Sequence, residues 1–154
     1  MLSQVAKLRH VIQLAMTYAE WERTVPKEIS GDALWQMQAY RLALYAARLG
    51  WEDATLLAGN PRTAAMGDQL LRAVNSISAN LAEGYSRRFR KEKAHFYDYA
   101  LGSAREARDW YFKAQPVLPT SASRLETLTR IVKLLTVMVA RDRKRSRRAL
   151  PPDS

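Results

Sequence analysis

Residues 69–93 read QLLRAVNSISANLAEGYSRRFRKEK, an amphipathic helix that gives way to a run of positive charge. Leu70, Ala73, Val74, Ile77 and Leu81 recur every three or four residues, so they share one side of a helix and require an apolar partner. Gln69, Arg72, Ser76, Asn80 and Glu83 form a second, polar stripe beside the first. A face turned to water usually carries Lys and Glu. The short polar side chains here read instead as a hydrogen-bonding seam that sets helix register, made of Arg72, Ser76, Asn80 and Glu83 against Ser103 and Glu106 of the following helix, with a solvated face as the alternative. Gly84 is read as the end of the helix.

Working outward, Gly and Pro are scarce and gather between periodic segments, which predicts helices over residues 3–24, 31–58, 66–86, 90–115 and 122–146. Pro26 and Gly31 separate the first two, GNPR at 59–62 closes the second, and PVLPTSAS at 116–123 divides the last two. Ser123 and Glu126 have capping-box spacing, in which hydroxyl and carboxylate each satisfy an orphan backbone N–H. Leu125, Leu128, Val132, Leu135 and Val139 give the last helix one apolar side. The fourth has two: Phe96, Ala100, Ser103, Ala107 and Trp110 on one, Tyr97, Leu101, Ala104 and Tyr111 on the other. A bundle helix in a monomer needs only one. The surplus assigns Tyr97, Leu101, Ala104 and Tyr111 to an interface between copies, unless a central position against the N-terminal helix uses them.

The motifs resemble a known family. QLLRAVNSISANLAEGYSR followed by FYDYALGSAREA is similar to the bacterial four-helix-bundle family that includes proteins encoded within intervening sequences of large-subunit ribosomal RNA and the accessory variability protein of diversity-generating retroelements. Its pattern falls on Gln69, Leu70, Arg72, Ala73, Ser76, Ile77, Asn80, Ala82, Glu83 and Gly84, then on Phe96, Ala100, Gly102, Ser103 and Glu106. LWQMQAYRLALYAARL at 34–49 resembles the family's first bundle helix, and the likeness spans about residues 32 to 140. Lys93 stands where a large apolar residue is usual, Ser78 where proline is common, and residues 1–30 have no counterpart. The resemblance implies an all-α, antiparallel up-down four-helix bundle with an extra N-terminal helix, assembled as a homopentamer. In the retroelement branch it further implies binding of nucleic acid and of a reverse transcriptase. The organisation expected is an N-terminal extension over 1–30, a bundle over 31–146 and a basic, Pro-containing tail over 147–154.

Charge bears on function. The net charge is +10, yet residues 1–86 hold eight Lys/Arg against eight Asp/Glu, so the excess lies wholly in the second half. Two runs dominate it: RRFRKEK at 87–93 nets +4 and RDRKRSRR at 141–148 nets +5. In an up-down bundle the start of the fourth helix and the end of the fifth share a pole. Arg87, Arg88, Arg90, Lys91 and Lys93 are then expected beside Arg141, Arg143, Lys144, Arg145, Arg147 and Arg148, a site for phosphate backbones with little sequence preference and RNA as the expected ligand. The competing reading is a protein-interaction scaffold that binds no nucleic acid. Tyr85 and Phe89 suit base stacking, but packing in core or interface is the preferred reading for both.

Other classes are disfavoured. Cysteine is absent, which removes disulfides and thiolate metal sites. Lys7, Arg9, His10 and Gln13 interrupt the N-terminus, and no apolar run approaches membrane-span length, so a soluble, cytoplasmic protein is expected. Glu92 and His95 have the spacing of half a di-iron site, but His10 is the only other histidine and no Glu precedes it by three. Glu83 and Glu106 as paired catalytic carboxylates are outweighed by a structural role beside Arg72 and Asn80. With no nucleophile or phosphate-loop motif, no enzyme, metal or cofactor is expected.

Overall fold

Long periodic runs bounded by short polar connections dictate helices, and the computed structural model, which describes residues 16–148, is helical throughout that span. α1 (Tyr18–Thr24) starts at a capping box: the Thr17 hydroxyl accepts from the Glu20 N–H at 3.3 Å, and the Glu20 carboxylate accepts from the Thr17 N–H at 2.8 Å. α2 (Lys27–Ser30) and a 3-10 turn (Ala33–Gln36) follow. The four long helices are α3 (Gln38–Ala58), α4 (Ala64–Tyr85), α5 (Arg90–Ala114) and α6 (Ser121–Arg148). Residues 3–15 of the first expected helix and residues 149–154 of the expected tail lie outside the described residues; Arg147 and Arg148 belong to α6.

Each long helix packs on its successor, and α3 also packs on α6. Numbering runs in opposite senses across the pairs. Gly84 abuts Phe96 and Tyr97 while Ser76 bonds Ser103, and Arg90 reaches Asp142 while Tyr111 and Arg124 meet at the far end. Leu70, Val74, Ile77 and Leu81 of α4 are fully buried with Ile131 and Leu135 of α6, as their spacing requires. Residues 16–36 lay an aromatic cover on α3: Trp21 is buried against Trp35 and Tyr45, with ring centroids 6.2 and 5.4 Å away.

Several sequence expectations are corrected. The helix expected over 31–58 starts only at Gln38, because the Asp32 carboxylate accepts from the Leu34 N–H at 2.7 Å and sets a 3-10 turn, after which Met37 is extended. Gly84 does not stop α4, which continues to Tyr85. It is a contact glycine instead: a Cβ there would stand 2.8 Å from atoms of Phe96 and Tyr97. Ser123 does not cap α6, because the helix has begun at Ser121, and its hydroxyl donates to the Thr120 carbonyl at 2.9 Å. Tyr97, Leu101, Ala104 and Tyr111 are not available to another copy. All four are at most 5% exposed within the single chain, where α5 packs against both α4 and α6.

One polar cluster lies deep in the bundle. The Asp53 carboxylate, fully buried on α3, accepts from the Tyr111 hydroxyl at 2.8 Å, the Thr120 hydroxyl at 3.0 Å and Arg124 Nε at 2.7 Å. It ties three helices together at the end of the bundle away from the basic runs.

Candidate nucleic-acid interface

The connection from α4 to α5 is short because its backbone closes on itself. The Ser86 hydroxyl donates to the Ala82 carbonyl at 2.9 Å, and the Arg87 N–H donates to the Gly84 carbonyl at 3.2 Å. Phe89, extended at φ −95° and ψ 139°, is the N-cap of α5 and supplies no side-chain cap. No side chain caps the positive end of the α5 dipole, and Glu92 is the carboxylate in its first turn.

The two basic runs meet here. Arg90 Nη1 lies 3.5 Å from the carboxylate of Asp142 on α6, and Arg143 Nη2 lies 2.7 Å from that of Asp98 on α5. Arg88, Arg90, Lys93 and Arg141 share one cleft of about 320 Å³ with Tyr85 and Asp142. Lys91, Arg143 and Arg147 share another of about 410 Å³ with His95, and Arg87 lines a third with Lys91 and His95. Lys144, Arg145 and Arg148 are exposed on the last turns of α6.

Not every cation is equally available. Arg87 pairs with Glu83 and lies 4.8 Å over Phe96. Arg90 and Arg141 both approach Asp142, which is only 4% exposed, and Arg143 holds Asp98. Arg88, Lys91, Lys93, Lys144, Arg145, Arg147 and Arg148 have no carboxylate at ion-pair distance among the described residues. Asp142 also acts on its surroundings. Burial first, and then the charge of Asp142, push the Tyr97 hydroxyl up to about 12.

The polar stripe of α4 divides. Ser76, Asn80 and Ser103 come together half-buried: Asn80 Nδ2 donates to the Ser76 carbonyl at 2.8 Å and to its hydroxyl at 3.0 Å, and the Ser103 hydroxyl donates to Ser76 Oγ at 3.0 Å. Arg72, Glu83 and Glu106 are exposed and stand outside this group; Glu83 serves Arg87, and Glu106 accepts from Trp110 Nε1 at 3.3 Å. Phe89 and Tyr85 depart from the packing preferred for them, at 62% and 37% exposure. For Phe89 its place within RRFRKEK was the available signal, since a connection of four residues has no interior to receive a ring. Among the described residues no group of three or more His, Asp or Glu is disposed to hold a metal, and no helix is long and apolar enough to cross a membrane.

The fold and site define an all-helical bundle with a cationic pole. This chain belongs to the 23S rRNA-intervening sequence protein family, whose family model matches residues 37–141. A solved structure with the same fold is a Bacteroides thetaiotaomicron VPI-5482 protein of unknown function from the S23 ribosomal protein family. It is 23% identical, with a TM-score of 0.61 over 66% of this chain and 97% of that one. No curated protein matches.

Proposed function

We propose that this protein is a non-enzymatic accessory factor that binds nucleic acid, RNA foremost, through the pole where α5 begins and α6 ends. The observation that carries the reading is the convergence of two basic runs, about fifty residues apart in sequence, around shared clefts, with seven cations free of carboxylates among the described residues. A spaced array of guanidinium and ammonium groups suits a phosphate backbone, which such arrays bind by displacing counterions. In this reading the chain is an antiparallel up-down four-helix bundle that assembles as a homopentamer and repeats the pole around an axis. The pentamer and a reverse-transcriptase partner rest on the sequence resemblance alone.

The triple variant Arg88→Glu/Lys91→Glu/Arg147→Glu tests it without touching a side-chain ion pair. It is expected to weaken RNA binding across unrelated sequences, and to flatten the dependence of log affinity on log salt by about one unit for each phosphate no longer neutralised. Unchanged affinity at low salt would favour the protein-interaction scaffold. That second reading draws on apolar side chains away from the basic runs: Trp51, Phe112 and Val137 are each more than 60% exposed.

A further inference from the structure

Two aromatic rings stand among the cations of the pole, and the core uses neither. Phe89 projects from the α4–α5 connection at 62% exposure, with the Arg88 guanidinium 5.7 Å from its ring. Tyr85, 37% exposed, has the Lys93 ammonium 5.3 Å from its ring, and the same ammonium donates to the Tyr85 backbone carbonyl at 3.0 Å. Tyr85 also walls the cleft of about 320 Å³ that Arg88, Lys93 and Met138 line, a volume within the range of small-molecule sites. A site for phosphates alone needs no rings, and an exposed phenyl in water forfeits the gain from burial. Cations interleaved with exposed rings are suited to a different ligand: a backbone whose bases are unstacked and can lie on an aromatic face. A duplex keeps its bases inside the stack and offers these rings nothing but phosphate and sugar.

We propose that the pole selects single-stranded nucleic acid, stacking unpaired bases on Phe89 and Tyr85 while Arg88, Lys93 and their neighbours hold the flanking phosphates. This rests on the reading of the pole as a nucleic-acid interface, and adds to it the form of the ligand. Stacking is indifferent to base identity, so the preference is for unpaired strands and not for a sequence.

Three labelled probes test it on the full chain by fluorescence anisotropy: a short mixed-sequence RNA strand, the same strand annealed to its complement, and an abasic strand of equal length. The single strand is expected to bind about tenfold or more tighter than the abasic strand and tighter than the duplex. Phe89→Ala and Tyr85→Ala are each expected to lose about tenfold on the single strand with little change on the abasic probe, and Phe89→Trp to retain binding. Phe89 supplies no helix-cap bond, so its replacement leaves the start of α5 intact. Equal affinity for the single and abasic strands, or unchanged single-strand binding by Phe89→Ala, would overturn the selection while leaving the basic pole as a phosphate site. A proportionate loss on all three probes with an unchanged melting curve would overturn it as well, since the rings would then serve paired, unpaired and abasic strands alike. If no probe binds at low salt, the nucleic-acid reading itself fails, and the selection with it.

Discussion

Asp53 has no exposed surface, and what holds it there is a ring of three donors from other parts of the chain. Arg124 is 6% exposed; burial works against its charge, but the bond and the charge of Asp53 outweigh this and raise its pKa. Removing one partner strands the other in a dry interior, so Asp53→Asn or Arg124→Met is expected to lower stability by about 3–5 kcal/mol in denaturant titration. The combination Asp53→Leu/Tyr111→Phe/Arg124→Met is expected to recover much of that loss, because it leaves no charge unpaired. The same cluster sets an alkaline limit. Burial first, and then Asp53, raise the Tyr111 hydroxyl well above its ordinary 10.0, while Tyr97 sits at about 12. A tyrosine that keeps its proton longer when folded contributes stability in full below pH 10, and that contribution is lost as pH climbs through the folded value. Melting temperature is therefore expected to fall as pH rises from 10 toward 12, and Tyr97→Phe to make that fall shallower.

At the scale of elements, two glycines of neighbouring helices have opposite meanings. Gly84 lies where α4 and α5 touch, and the Cβ of Gly84→Ala would meet Phe96 and Tyr97 at 2.8 Å, a closeness that forces rings or backbone to move. A loss of about 1–3 kcal/mol is expected. Gly102, mid-way along α5, is exposed, and a Cβ there would meet nothing within 4 Å. Gly102→Ala is therefore expected to stabilise the isolated chain by up to about 1 kcal/mol, from helix propensity. If the same variant instead dissociates an assembly, seen as a drop in mass by light scattering, the surface around Gly102 is where copies meet. The α4 stripe behaves as two parts. Asn80→Leu, which removes both bonds to Ser76, is expected to lower stability by about 1 kcal/mol, whereas Glu83→Leu, which removes an exposed pair with Arg87, is expected to change it by less than that.

Across the whole molecule, charge and apolar surface are distributed to opposite effect. The pole gathers cations around Asp142, whose carboxylate lies between Arg90 and Arg141. Reversing Arg90 would face a buried carboxylate with another negative charge, so Arg90→Glu is expected to unfold the pole as well as weaken RNA binding. Arg88→Glu is expected to weaken binding with an unchanged melting curve, because no carboxylate pairs with Arg88 among the described residues. Apolar surface is left over where the bundle faces outward, at Trp51, Phe112 and Val137. Those residues, and not the buried Tyr97 and Leu101, are where a partner subunit or protein has apolar surface to gain. Trp51→Glu, Phe112→Glu and Val137→Glu, made singly, are expected to leave the monomer folded; the one that lowers the particle mass locates the contact.

Read alone, the sequence determined the helices, their apolar stripes and the two basic runs, because each is a matter of spacing within some twenty residues of chain. Leu70, Val74, Ile77 and Leu81 are buried together for no other reason than their period. It also contained the Asp53 cluster in a weaker form, since Asp53 shares a stripe with Ala46, Leu49 and Leu57, and Arg124 with Leu128, Ile131 and Leu135, but nothing local says that one charge answers the other. Only tertiary structure decided what depends on which helices are neighbours. It buried Tyr97, Leu101, Ala104 and Tyr111 within one chain, made Gly84 a contact instead of a stop, let Asp53 take the hydroxyl of Thr120, and left Phe89 in water. The physical reason is the same in each case: a side chain's periodicity fixes the direction it points, and burial depends on what the rest of the chain brings to that side.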